Sequence, residues 1–107
     1  MIWVKVLTLT HAIVSIEISG HAEYAEAGRD LVCAAASSIG IGLCNAVDIL
    51  TENADSRIEV EENRIKIEVM QPNESLQTIL NTGVIQYQTL SEQFSEYIRV
   101  EKMEVRQ

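Results

Sequence analysis

Between Ile2 and Ser19 the chain carries two runs that suit a sheet and not a helix. Residues 2–10, IWVKVLTLT, are rich in β-branched and apolar side chains, the composition of a strand. Residues 12–19, AIVSIEIS, alternate, with Val14, Ile16 and Ile18 on one side and Ser15, Glu17 and Ser19 on the other. That alternation predicts a half-buried strand. Thr10-His11 between the runs predicts a hairpin, with His11 a solvated turn residue. A sheet begun this way has an apolar face that another layer must cover.

The cover is legible further along. From Leu31 to Leu50, Val32, Ala35, Ile39, Leu43, Ala46 and Leu50 recur at steps of three and four, which predicts a largely buried helix. Asp30 stands where its N-cap belongs. Arg57–Val60 and Arg64–Met70 read as two short strands. The turn falls at Glu61-Glu62-Asn63, where Asn63 tolerates the positive φ of a tight hairpin. Pro72-Asn73-Glu74-Ser75 opens a second helix with the stripe Leu76, Ile79, Leu80, Gly83, Tyr87, Leu90 and Phe94. Gly83 costs about 1 kcal/mol against Ala there, so it marks a close approach to a neighbouring backbone. Ile98–Val105 alternates as a last strand, with Ile98, Val100 and Lys102 on one side. The order β-β-α-β-β-α-β predicts an α/β (α+β) two-layer sandwich, a five-stranded mixed sheet with two helices on one face. A chain of 107 residues suits one domain, 1–107, with one core.

Composition narrows the function. Hydrophobic residues make up 47% of the chain, and one Pro and five Gly leave no room for a long linker. The net charge of −8 argues against nucleic acid as a direct ligand, since phosphate binding needs a Lys/Arg footprint. It favours a basic partner instead. No apolar run is expected to reach the length of a membrane span, and Met1-Ile2-Trp3 leads straight into a strand with no leader-like segment. The two Cys share the first helix, where eleven residues rise about 16 Å. A disulfide allows about 4.4–6.8 Å between Cα atoms. Reduced thiols and a cytoplasmic location follow as expectations.

Chemistry concentrates in Gly20–Ser37, GHAEYAEAGRDLVCAAAS. With Asp30 as N-cap, Cys33 stands in the first helical turn, where unpaired N–H groups and the helix dipole favour the thiolate. The same N–H groups could hold a developing oxyanion. His21 ends the second strand, and a long glycine-bracketed loop can fold its imidazole over Cys33 as proton acceptor or ion-pair partner. Asp30 could cap the helix or orient that imidazole, and Ser37 lies one turn beyond Cys33. Tyr24 is a candidate substrate contact, and Cys44 reads as core. Two His and two Cys without ligand spacing predict no metal site, and no cofactor is expected. On spacing alone, a Cys-His pair and an inert packing cysteine beside a surface histidine both stand.

Gly20-His21-Ala22, Tyr24-Ala25, Gly28 and the run Asp30-Leu31-Val32-Cys33-Ala34-Ala35-Ala36-Ser37 resemble the ribosomal-processing cysteine protease family, Prp, across essentially the whole chain. The resemblance implies an endopeptidase that removes a hydrophobic N-terminal extension, ending in paired aromatics, from the large-subunit ribosomal protein L-twenty-seven. It implies His21 and Cys33 as the catalytic pair, with Asp30 and Ser37 in support. It also implies a flexible substrate loop containing Gly20, Ala22, Tyr24 and Gly28, and a homodimer. The alternative is a non-catalytic acidic dimeric module that binds a ribosomal protein or assembly intermediate. Such a module would keep binding after Cys33→Ala and release no product.

Overall fold

The computed structural model describes residues 1–26 and 28–106; Ala27, within the expected substrate loop, lies outside them. The strands are β1 (Ile2–Leu9), β2 (Ala12–Gly20), β3 (Ser56–Glu61), β4 (Arg64–Val69) and β5 (Ile98–Glu104), and the helices are α1 (Leu31–Leu50) and α2 (Glu74–Gln93). The sheet order is β3-β4-β2-β1-β5, with β1 and β5 parallel and the other neighbours antiparallel. This is the expected mixed sheet with both helices on one face. One cross-strand row, Val60-Ile65-Ile18-Val4-Val100, crosses all five strands on the helix-covered side.

Four expectations need correction. Val14 is not in the core stripe of β2. Leu7 pairs with Ser15 and Thr8 with Ile13, so Val14 is an extra residue in a bulge and Ile13 takes its place in the core. A bulge shifts side-chain parity by one. The positive-φ hairpin is at Thr10 (φ 50°) and His11 (φ 68°), not at Asn63. The buried stripe of α1 is Val32, Ala36, Gly40, Leu43, Cys44 and Val47, rotated from the expected one, and Leu50 is exposed. Gly40 lies in the new stripe because a Cβ there would stand 2.8 Å from both Ile65 Cδ1 and the Tyr87 hydroxyl. Gly83 admits the Leu43 side chain of α1 rather than a backbone, since its Cβ would lie 2.6 Å from Leu43 Cδ2.

The membrane expectation also changes. At 20 residues and a mean hydropathy of 1.6, α1 is long and apolar enough to cross a membrane. Its buried stripe packs into the core with α2 and the sheet, but Leu31, Ile41, Ile49 and Leu50 are exposed, so the helix is half-buried and not largely buried as expected.

Tyr87 ties the layers at the site. Its buried hydroxyl donates to the Ala36 carbonyl at 2.9 Å. Burial first, then the nearby Cys44 thiol, push the phenol well above its ordinary value. Burial also pushes the Cys44 thiol up, in keeping with its expected core role.

β4 pairs with β2 only from Ser15 onward, and α2 meets the open edge left at Ile13. The Gln77 amide donates to the Ile13 carbonyl at 2.7 Å and accepts the Ile13 N–H at 2.8 Å, acting as a side-chain strand partner. Leaving such groups unpaired costs about 1–3 kcal/mol. Gln77→Ala is therefore expected to lose about that much unfolding free energy by urea titration, with the slope m unchanged. A loss within about 0.5 kcal/mol, the usual range for a surface change, would show that water replaces the amide without penalty.

Candidate active site

The loop after β2 and the start of α1 are joined by one carboxylate. Asp30 Oδ1 accepts the Cys33 N–H at 2.9 Å, and the Asp30 carbonyl accepts the Ala34 N–H at 3.0 Å. Asp30 Oδ2 accepts the Tyr24 N–H at 2.9 Å and the Ala25 N–H at 3.4 Å. The expected cap is present, and the same group fastens the loop. Burial acts most strongly on this carboxyl and would raise it. The amides of Cys33, Tyr24 and Ala25, with the Cys33 thiol, together outweigh burial and hold it below the ordinary 3.8. Its hydrogen bonds run to amides, not to the His21 imidazole.

Two further contacts shape the loop. Gly20 has φ +91°, and a Cβ there would stand 2.4 Å from the Met1 carbonyl oxygen, so only glycine fits. The Tyr24 ring packs edge-on against Phe94 (centroids 5.6 Å) and Tyr97 (5.0 Å). Tyr24, expected as a substrate contact, thus lies on the protein's own aromatics beyond the end of α2. Nothing in the local sequence signals this, because the partners are some seventy residues away in the chain.

Cys33 is half-buried at the helix start and His21 is exposed. Both line two neighbouring clefts, one of about 340 Å³ and one of about 470 Å³, and Ser37 lines each as well. The sequence-predicted trio is therefore brought together, although no hydrogen bond joins imidazole and thiol among the described residues. The Cys33 Sγ instead accepts the N–H of buried Ala22 at 3.3 Å.

The first cleft has an apolar floor and wall that sequence reading missed. Ile18, Ile65 and Val60, neighbours on the cross-strand row, face Ala36 and Ile41 across it. Val60 is 57% exposed and Ile41 45%, so the cleft presents apolar surface to a ligand. The available signal was a stripe residue at the sheet's edge. The second cleft is bordered by Glu23 and Asp30. Among the described residues no group of three or more His, Cys, Asp or Glu gathers as metal ligands would.

A thiol lining two clefts suits an extended polymer lying across it. A sequence model of the family described as cysteine protease Prp matches residues 1–99; the chain belongs to that family. The ribosomal processing cysteine protease Prp of Staphylococcus aureus is 33% identical over 90 residues, spanning 82% of this chain and 85% of that one. Its namesake from Mycoplasma pneumoniae is 33% identical over 99 residues, 89% and 91% of the two chains. The crystal structure of the S. aureus protease with a covalently linked product peptide superposes with a TM-score of 0.90 at 30% identity, covering 96% of this chain and all of that one. The same protease with a substrate peptide gives 0.84 at 29% identity, with coverage of 96% and 100%.

Removing the Asp30 carboxylate should loosen loop and helix together. Asp30→Ala is expected to cost about 1–2 kcal/mol by urea titration at neutral pH, the range for a lost cap. The folded carboxyl is depressed, so its stabilisation is complete above the unfolded value of 3.8 and lost as pH falls through the lower folded value. The gap between wild type and Asp30→Ala should narrow over that acid range. A gap constant with pH would separate the cap from the carboxylate's charge.

Proposed function

We propose that this chain is a cytoplasmic, homodimeric cysteine endopeptidase that removes the hydrophobic N-terminal extension of the large-subunit ribosomal protein L-twenty-seven, with Cys33 as nucleophile and His21 as proton carrier. The observation that carries the reading is that His21 and Cys33 both line the same two clefts. The relatives' name and the peptide held covalently by the S. aureus protease support it.

The chemistry divides into two transfers. His21 accepts the Cys33 thiol proton, its imidazole closing on Sγ as substrate fills the clefts; catalytic hydrogen bonds commonly tighten only in the complex. The thiolate attacks the scissile carbonyl carbon, an S–C bond forms, and the C=O π pair moves onto oxygen. Collapse breaks the C–N bond, and the amine leaves with the proton from His21. A water then attacks the thioester, giving a proton to His21 as its oxygen bonds to carbon. The C–S bond breaks, and the carboxyl product and the thiol are released.

The surroundings suit the substrate. Apolar Val60, Ile65 and Ile41 suit a hydrophobic segment. Glu61, Glu62, Glu23 and Asp30 border the clefts in a chain of net charge −8, which draws a basic protein toward them. Exposed apolar Ile49, Leu50 and Ile85 on the helices support the homodimer.

Mass spectrometry of a basic protein carrying the hydrophobic extension tests the reading. Native protein should release the extension, and Cys33→Ala and Cys33→Ser should not. Persistent cleavage by both variants would remove Cys33 from the mechanism. His21→Gln should retain folding but lower kcat by about 10²–10⁴, the range for a lost general acid–base group. Salt should also matter. Raising ionic strength from about 0.01 M to about 1 M shortens the screening length from about 30 Å to about 3 Å, so kcat/KM should fall while kcat holds.

A further inference from the structure

A tetrahedral intermediate needs donors for its oxyanion, and a nucleophile's own amide at a helix start is the obvious one. Here that amide is occupied. The Cys33 N–H is bonded to Asp30 Oδ1 and the Ala34 N–H to the Asp30 carbonyl. Opening either bond would undo the cap that sets α1. The expectation that the first turn supplies the oxyanion hole therefore fails for these two amides.

We propose that the main-chain N–H of Ala22 is an oxyanion donor of this active site, and that its bond to Cys33 Sγ is the resting form of that role. The inference rests on the protease reading above. The Ala22 N–H is the one hydrogen-bond donor to Sγ among the described residues, at 3.3 Å, and Ala22 is 3% exposed, so little water competes. The turn that aims it is overdetermined. Gly20 (φ 91°) and Glu23 (φ 57°) bracket His21-Ala22 in the left-handed region, and the Asp30 carboxylate pins Tyr24 just beyond.

The exchange follows from the chemistry of the step. Before attack, the sulfur carries the negative charge and accepts the N–H. As the S–C bond forms, the charge passes to the former carbonyl oxygen, bonded to the same carbon. The sulfur becomes a thioether-like poor acceptor, and the N–H turns from sulfur to an oxygen within about 2.7–3.1 Å. On collapse the C=O bond is restored and the donor returns to sulfur at the end of the cycle. The motif then has a division of roles: Gly20 permits the turn, His21 carries the proton, and Ala22 supplies a buried amide behind a side chain small enough to let the backbone approach Cys33.

Cys33 is itself a ligation site, so the amide can be removed alone. Residues 1–32, made as a thioester with L-lactate in place of Ala22, join to residues 33–107 beginning at Cys33. This gives the full chain with an ester oxygen where the N–H was and the methyl retained. The reference is the all-amide chain made the same way, and circular dichroism checks folding of both. The probe is acetyl-Phe-phenylalaninal, which forms a hemithioacetal with the cysteine of a thiol protease and mimics the tetrahedral state. The ester should lower kcat and weaken aldehyde binding by about 10²–10³, the range for one lost oxyanion donor, with KM much less affected. Equal aldehyde affinity in ester and amide chains would overturn the proposal. If the all-amide chain neither cleaves nor binds the aldehyde, the protease reading fails and this one with it. Nitrogen-15 NMR of the native chain gives a second test that needs no ester. The Ala22 amide proton should move downfield on adduct formation, and an unmoved resonance would overturn the proposal.

Discussion

The Asp30 carboxylate is the junction on which the site depends. It sits between a loop with no regular structure and a helix of twenty residues, and it bonds to amides of both. A cap of this kind satisfies a helix donor that otherwise has no partner. Here it also sets the path of the chain from His21 to Tyr24, and so the position of Ala22 against Cys33. A helix start alone would place the sulfur, and a loop alone would place the imidazole. The shared carboxylate ties the loop backbone at Tyr24 and Ala25 to the helix start that carries Cys33.

The second constraint comes from the packing beneath. α1 can bring Cys33 to the mouth of a groove only because Gly40 lets it settle against Ile65 and Tyr87, while the Tyr87 hydroxyl holds the Ala36 carbonyl. That seating leaves Val60 and Ile41 uncovered on opposite sides of the first cleft. The apolar groove is therefore the unfinished edge of the core, where the cross-strand row runs out beyond the helix.

Most of the fold was legible because period is a local property. Alternation in β2 and the three-and-four spacing in both helices needed no partner to be read, and Asp30 and Asn73 mark helix starts by side-chain chemistry alone. What escaped depends on partners distant in sequence. The bulge at Val14 is visible only against β1, and the rotation of the α1 stripe only against Ile65 and Tyr87. Asn63 is a reasonable positive-φ residue, yet Thr10 and His11 adopt that conformation instead; turn geometry follows strand register as well as residue preference. At the site, the joint GHA and DLVCAAAS motif pointed to His21, Cys33, Asp30 and Ser37. Hydrogen-bond occupancy was not legible, and it shows the first-turn amides of Cys33 and Ala34 already engaged.

Under the proposed mechanism this acidic chain faces an apparent conflict, since carboxylates that attract a basic substrate also oppose negative charge on sulfur. Distance resolves it. Charges spread over a surface are screened beyond about 8–10 Å at ordinary ionic strength, so they act mainly on an approaching protein before contact. At Cys33 itself the sulfur accepts a buried N–H, that of Ala22, at 3.3 Å. Asp30 directs its oxygens to the amides of Cys33, Tyr24 and Ala25, so part of its charge is already balanced by peptide dipoles. Surface charge and active-site polarity can then be set separately, one for encounter and the other for chemistry.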